Sequence, residues 1–210
     1  MRRPALHSLP ALIGAALFIS AAYAQVEVVA PTGYYPARVV YVVDVSASIA
    51  DDAMAAAVCY VQNDIEALPF DGAAYTAVAF AAGAGRYPVW IDHPDPAGND
   101  DLLAWLSLRP VITTATAVEL GLRLATEVAG VEHPTTFVLV TDGNFGTPHW
   151  TNRNPRLLVD WTRWSSVDGR AVKMSSWLVI GVGVIEGTTE DRHLARIATE
   201  AGGGYYRIGE

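Results

Sequence analysis

The stretch "VVYVVDVSASIADD", Val39 to Asp52, decides the fold. It opens on an apolar run that is continuous, not alternating. A strand with one wet face alternates, whereas a strand covered on both faces reads as an unbroken run, as in a parallel sheet between helices. The run then ends in Asp44, Ser46 and Ser48, three oxygen-bearing side chains at alternate positions. Beyond them Met54, Val58, Val61, Ile65 and Leu68 recur in steps of four and three, which predicts an amphipathic helix.

The same unit recurs along the chain. "TTFVLVTD" (Thr135 to Asp142) and "WLVIGVGV" (Trp177 to Val184) are further continuous apolar runs. Leu120, Leu124 and Val128 form one helical stripe, and Leu194, Ile197, Ala198 and Ala201 another. Asp100 or Asp101 is placed to cap a helix through "LLAWLSL", and 157–164 is expected to form one more. "AYTAVAF" and "YPVWID", joined by the turn "AAGAGR", predict an antiparallel hairpin at one edge, and "GGGYYRI" a last short strand. Alternating strands and helices predict a three-layer α/β domain over 38–210, with an open, mostly parallel sheet flanked by helices.

The segments before it read differently. Arg2 and Arg3, the apolar "ALIGAALFIS" and the small residues of "AAYA" have the order of a secretory signal cleaved after Ala24. The apolar part is short of the roughly 20 residues a spanning helix needs. The expectation is a signal over 1–24, a lead-in over 25–37, no membrane anchor after cleavage, and a periplasmic or secreted product. Without Arg2 and Arg3 the chain holds 12 basic against 22 acidic residues, a net charge of about −10. Such a surface argues against nucleic acid as a partner and accommodates cations. Cys59 is the only cysteine, so no intrachain disulfide forms, and a lone helical Cys is expected to be a small buried hydrophobe.

Two acids stand out by position. Asp44 follows "VVYVV" and Asp142 follows "FVLVT", both at the carboxyl ends of strands read as central. Ligands bind at that edge of open α/β sheets. If the two strands are neighbours, their carboxylates converge and repel unless one is protonated or a cation lies between them. Hydroxyls and carboxylates are hard ligands that suit Mg²⁺, Mn²⁺ or Ca²⁺. The five histidines are scattered without zinc-ligand spacing. A third loop, "RPVITTATAVELG", carries Thr113, Thr114 and Thr116, each placed either to cap the next helix or to reach the cation. "DHPDPAGNDD" (Asp92 to Asp101) lacks EF-hand order and reads as a loop with a helix cap.

"DVSAS", a Thr before a helix and "TDG" after an apolar strand resemble the von Willebrand factor type A domain. That family carries a metal-ion-dependent adhesion site written Asp-x-Ser-x-Ser, Thr, Asp. Asp44, Ser46, Ser48 and Asp142 match it, and counting back from "LRLA" aligns Thr116. Thr114 and Ala115 stand where glycines are common in the family, as does Glu119, which makes Thr114 a rival to Thr116. The resemblance implies that Ser46 and Ser48 bind the metal directly, Thr116 directly or through water, and Asp44 and Asp142 through water or hydrogen bonds. It further implies a non-enzymatic domain in which an Asp or Glu from a protein partner completes the metal's shell. Two alternatives stand beside it: a structural module whose metal only steadies loops, and a Mg²⁺-dependent phosphoester hydrolase. Asn144, Phe145, His149, Trp150 and Arg153 follow Asp142 and are expected near the rim, with Trp161 and Trp164 packing the next helix.

Overall fold

The computed structural model describes residues 38–69, 72–111, 116–130, 133, 135–145, 166–167, 170–171 and 174–209. The chain divides into Met1–Ala30 and Pro31–Glu210, and every described residue belongs to the second unit. The signal and lead-in expected over 1–37 and the helix expected over 157–164 lie outside the described residues, as do Thr113, Thr114, Trp161 and Trp164.

In chain order the elements are β1 (Arg38–Asp44), α1 (Asp51–Glu66), β2 (Ala74–Phe80), β3 (Ala84–Arg86), β4 (Ile91–Asp92), α2 (Pro96–Ser107), α3 (Val118–Ala129) and β5 (Thr135–Thr141). A two-residue pair, β6 (Ser166–Val167) and β7 (Arg170–Ala171), precedes β8 (Met174–Val182), α4 (Thr189–Glu200) and β9 (Gly204–Ile208). The main sheet runs β3-β2-β1-β5-β8-β9, with β4 also on β2. β1 pairs in parallel with β2 and β5, and β8 with β5 and β9. Within this sheet, among the described residues, only β3 and β4 are antiparallel, both on the outer side of β2. This is the mostly parallel, three-layer α/β architecture that the continuous apolar runs predict.

The runs are continuous because each face of the central strands has its own core. Val39, Tyr41 and Val43 of β1 pack with α1 and α2 on one side. Val40 and Val42 pack with α3 and α4 on the other. β5 divides likewise, with Val138 and Val140 against Phe137 and Leu139. Phe137 stacks on Trp177 of β8, ring centroids 4.6 Å apart.

Four local readings change. The return arm of the edge hairpin starts inside the expected turn, at Ala84, and is interrupted before Ile91. Pro88, which lacks an N–H, sits in that gap, and a proline there cannot continue the ladder. α2 begins at Pro96 with Asp95 as its cap, its Oδ1 accepting the Gly98 N–H at 3.1 Å, so Asp100 and Asp101 are exposed helix residues. On α3 Leu120 is exposed and Leu124 and Val128 pack only half-buried at the side of the core; the helix buries Val118, Gly121, Leu122, Ala125, Thr126 and Ala129. The reason is Gly121, where an added Cβ would lie 2.7 Å from the Phe80 ring, so the helix approaches the sheet through its smallest residue. α1 packs through Met54, Ala57, Tyr60, Val61 and Ile65, which leaves Cys59 exposed, not buried as expected.

Candidate metal centre

β1 and β5 are neighbours, with Val43 opposite Val140, so Asp44 and the residue after β5 reach the same edge. Asp44 closes β1 and is fully buried, while Asp142 is half-buried. One carboxylate oxygen of Asp44 accepts the Ser46 backbone N–H at 2.9 Å. The other accepts the Thr141 hydroxyl at 2.8 Å. Thr141 Oγ1 in turn accepts the Gly143 N–H at 3.1 Å, so the exits of β1 and β5 are tied through one carboxylate. Asp142 folds its own loop back by accepting the Asn144 N–H at 2.8 Å. Gly143 between them has φ 75°, a left-handed conformation that glycine adopts without strain.

The hydroxyls of Ser46 and Ser48 lie 2.9 Å apart, the first buried and the second exposed. Together they lead from the buried carboxylate to the surface. Thr116 arrives from the far side. It precedes Ala117, the cap of α3, whose N–H donates to the Ala81 carbonyl at 2.6 Å, just past the end of β2. Phe80 of β2 is the register partner of Asp44, so Thr116 is held one strand away. The α3 cap position is Ala117, with no side-chain bond, so Thr116 is buried at this edge without capping the helix. All five residues singled out in the sequence therefore stand at one sheet edge.

Burial pushes the Asp44 carboxyl from 3.8 up to about 6. Hydrogen bonds from Ser46 and Thr141 pull it the other way, and the negative charge of Asp142 adds to the rise. A buried acid pressed by a second acid is a place where a cation is electrostatically welcome. The donors are hard oxygens, two from acids and the rest hydroxyls, a set chemically suited to a small dication. Among the described residues no group of three or more His, Cys, Asp or Glu gathers as a metal-binding cluster, and this set too holds only two acids.

Two contributors carry no mark in the sequence. Thr141 is one, hidden because an apolar strand ending in Thr is unremarkable. Arg109 is the other: its guanidinium reaches the carbonyls of Ser46 and Ile49, both at 2.8 Å, from the end of α2. Nothing in the spacing of the chain links position 109 to position 46. The rim also differs from expectation. Phe145 is buried in the core under α3 and α4, while Asn144 faces solvent. His149, Trp150 and Arg153 lie outside the described residues. Among the described residues the exposed large apolar side chains are Val89 at 55%, Leu108 at 80%, Leu120 at 41% and Ile185 at 70%.

An acid-and-hydroxyl loop after the first central strand, a second acid after its neighbour, and helices on both faces define a von Willebrand factor type A-like fold. No protein-family model matches the chain, and no curated protein matches it by sequence. Solved structures do. A von Willebrand factor type A structure from Catenulispora acidiphila matches with TM-score 0.56 and 21% identity, over 82% of this chain and 38% of that one. An aerotolerance-related membrane protein from Bacteroides fragilis matches with TM-score 0.60 and 18% identity, over 82% and 92% of the respective chains. The pilus adhesin SpaC from Lactobacillus rhamnosus GG matches with TM-score 0.59 and 14% identity, over 85% and 28%. At these identities the likeness is one of fold.

Proposed function

We propose that this chain is an exported, metal-dependent protein-binding domain. Ser46, Ser48, Thr116, Asp44 and Asp142 would hold a divalent cation, Mg²⁺ in the first place and Mn²⁺ or Ca²⁺ as substitutes. The bound ion supplies an electrophilic position that an Asp or Glu of a partner protein occupies. The observation that carries this reading is the Asp44 cluster. A fully buried carboxyl, raised to about 6, stands beside a second acid and a pair of hydroxyls that lead to the surface. Adhesion is the role named for one structure of similar fold, the pilus adhesin. A signal over 1–24 would deliver the domain to the periplasm or beyond. The residues offer a place for a ligand, not a nucleophile with its base, so binding is favoured over catalysis.

The test is affinity capture from the native envelope and secretome, run in parallel with Mg²⁺ and with EDTA. A partner retained only with Mg²⁺, and lost in Asp44→Ala and Ser46→Ala, supports the proposal. Capture that persists in excess chelator sinks it. A Mg²⁺-dependent rise in melting temperature with no metal-dependent partner would assign the ion a structural role.

A further inference from the structure

We infer that Arg109 is a positioning residue that shapes the 45–50 loop for its cation, a step that rests on the metal reading above. Arg109 follows the end of α2 and has φ 47°, the only described residue other than glycine with positive φ. Position 109 is the first past the α2 cap, where helices commonly turn left-handed, and its N–H closes the helix by donating to the Leu106 carbonyl at 3.0 Å, so φ marks the end of α2. The side chain then reaches beyond its own helix. Nη1 donates to the Ser46 carbonyl and Nη2 to the Ile49 carbonyl, both at 2.8 Å, and Nη2 also reaches Asp51 Oδ1 at 3.1 Å. The side chain is 19% exposed, while its partner Asp51 is fully exposed. The exposed ion pair contributes little. The two carbonyl bonds are therefore the substance of the contact.

Their position explains what they do. The carbonyls of residues 46 and 49 bracket Ser48. The Ser46 carbonyl also accepts the Ile49 N–H at 3.2 Å, so with Arg109 both of its lone pairs are engaged. That carbonyl is not free to act as a ligand, and the hydroxyl of Ser46 is what the residue offers instead. A planar guanidinium spans two carbonyls in a way that an ammonium does not. The arrangement is not explained as stabilisation of α1. The guanidinium sits by the first turn of α1, where the helix dipole disfavours a positive charge.

The experiment compares wild type, Arg109→Lys and Arg109→Gln. Mg²⁺ affinity is read by calorimetry, and exchange of the Ile49 amide is read by NMR in metal-free protein, with the Val42 amide as a core reference. The expected result is Mg²⁺ affinity lowered about 10-fold or more in both variants, the scale on which groups that orient ligands act. Ile49 exchange is accelerated and Val42 exchange unchanged. Variants that bind Mg²⁺ within about twofold of wild type would overturn the positioning role and leave the metal reading intact. A wild type that takes up no Mg²⁺ removes the metal reading, and the role of Arg109 with it.

Discussion

Asp44→Asn separates the site's chemistry from its architecture. The substitution keeps the side-chain shape and removes the charge. Burial, first among its causes, raises the Asp44 carboxyl from 3.8 to about 6. The folded protein therefore holds a proton at this group more tightly than the unfolded chain does. Stability from this group is highest at low pH and is lost as pH rises from about 4 to about 6. Above that window the buried anion destabilises the metal-free fold by about 3 kcal/mol, the gap from 3.8 to about 6 at 1.36 kcal/mol per pH unit. The introduced amide avoids this. Its oxygen keeps the Ser46 N–H, while its nitrogen obliges the Thr141 hydroxyl to turn its proton elsewhere. Setting about 1 kcal/mol against that rearrangement, the variant gains about 2 kcal/mol. For a chain of this size that is a rise in Tm of about 4–8 °C in EDTA near neutral pH. Near pH 4 the gain disappears, because wild-type Asp44 is then protonated in the fold. Added Mg²⁺ raises the wild type alone, by linkage. Thermal melts followed by tryptophan fluorescence, at both pH values and with and without Mg²⁺, read all of this. A variant less stable than wild type in EDTA at neutral pH refutes the reasoning, and so does one whose melting still rises with Mg²⁺.

Three further substitutions test the scaffold. Gly143→Ala forces φ 75° on a residue with a Cβ that would stand 3.2 Å from both Glu190 Cβ and Leu194 Cγ. We expect a loss of about 1–3 kcal/mol in urea unfolding, and an unchanged midpoint would contradict the packing described. Gly121→Ala should gain about 1 kcal/mol from helix propensity alone. Because the new Cβ meets the Phe80 ring at 2.7 Å, chemical denaturation should show a net loss instead. Tyr41→Phe removes the hydroxyl that donates to Asp64 Oδ2 at 2.7 Å. Burial raises the Asp64 carboxyl and the Tyr41 bond opposes that rise, so the variant's carboxyl moves further up. The ionised acid then destabilises the fold more, and the loss of stability should be larger near pH 7 than near pH 4. Equal losses at both would count against a half-buried, ionised Asp64.

What was legible in the sequence was whatever a single element displays by itself. The run Val39–Val43 announces burial on both faces because each of its residues is apolar, and the structure gives each face a separate core. Asp44 and Asp142 could be paired because each ends such a run, and central parallel strands are often adjacent. What was hidden depends on two elements meeting. Leu120 looked like a contact residue because large side chains dominate a periodicity count, yet α3 meets β2 through Gly121, which adds nothing to that count. Cys59 looked buried by residue type, and only the packing angle of α1 turns it outward. Arg109 lies 63 residues from Ser46 and is joined to it solely by the path of α2. Pro88 was visible, but its effect on the edge strand appears only once β2 is there to be paired.

The energetics of Asp44 connect these two kinds of residue. A carboxyl at the end of a central strand is buried because the strand is central, and its ionised form then weighs against folding. Thr141, Ser46 and the turn at Gly143 moderate that effect without removing it, since the carboxyl still sits at about 6. Arg109, the nearby cation, spends its donors on the carbonyls of Ser46 and Ile49 and on Asp51. Among the described residues no basic side chain lowers the Asp44 carboxyl, so its negative charge is left for a cation to neutralise. Destabilisation of this kind is expected where a site is selected for binding over rigidity. It follows that the substitution that most stabilises the metal-free protein should also be the one that most weakens its hold on a cation.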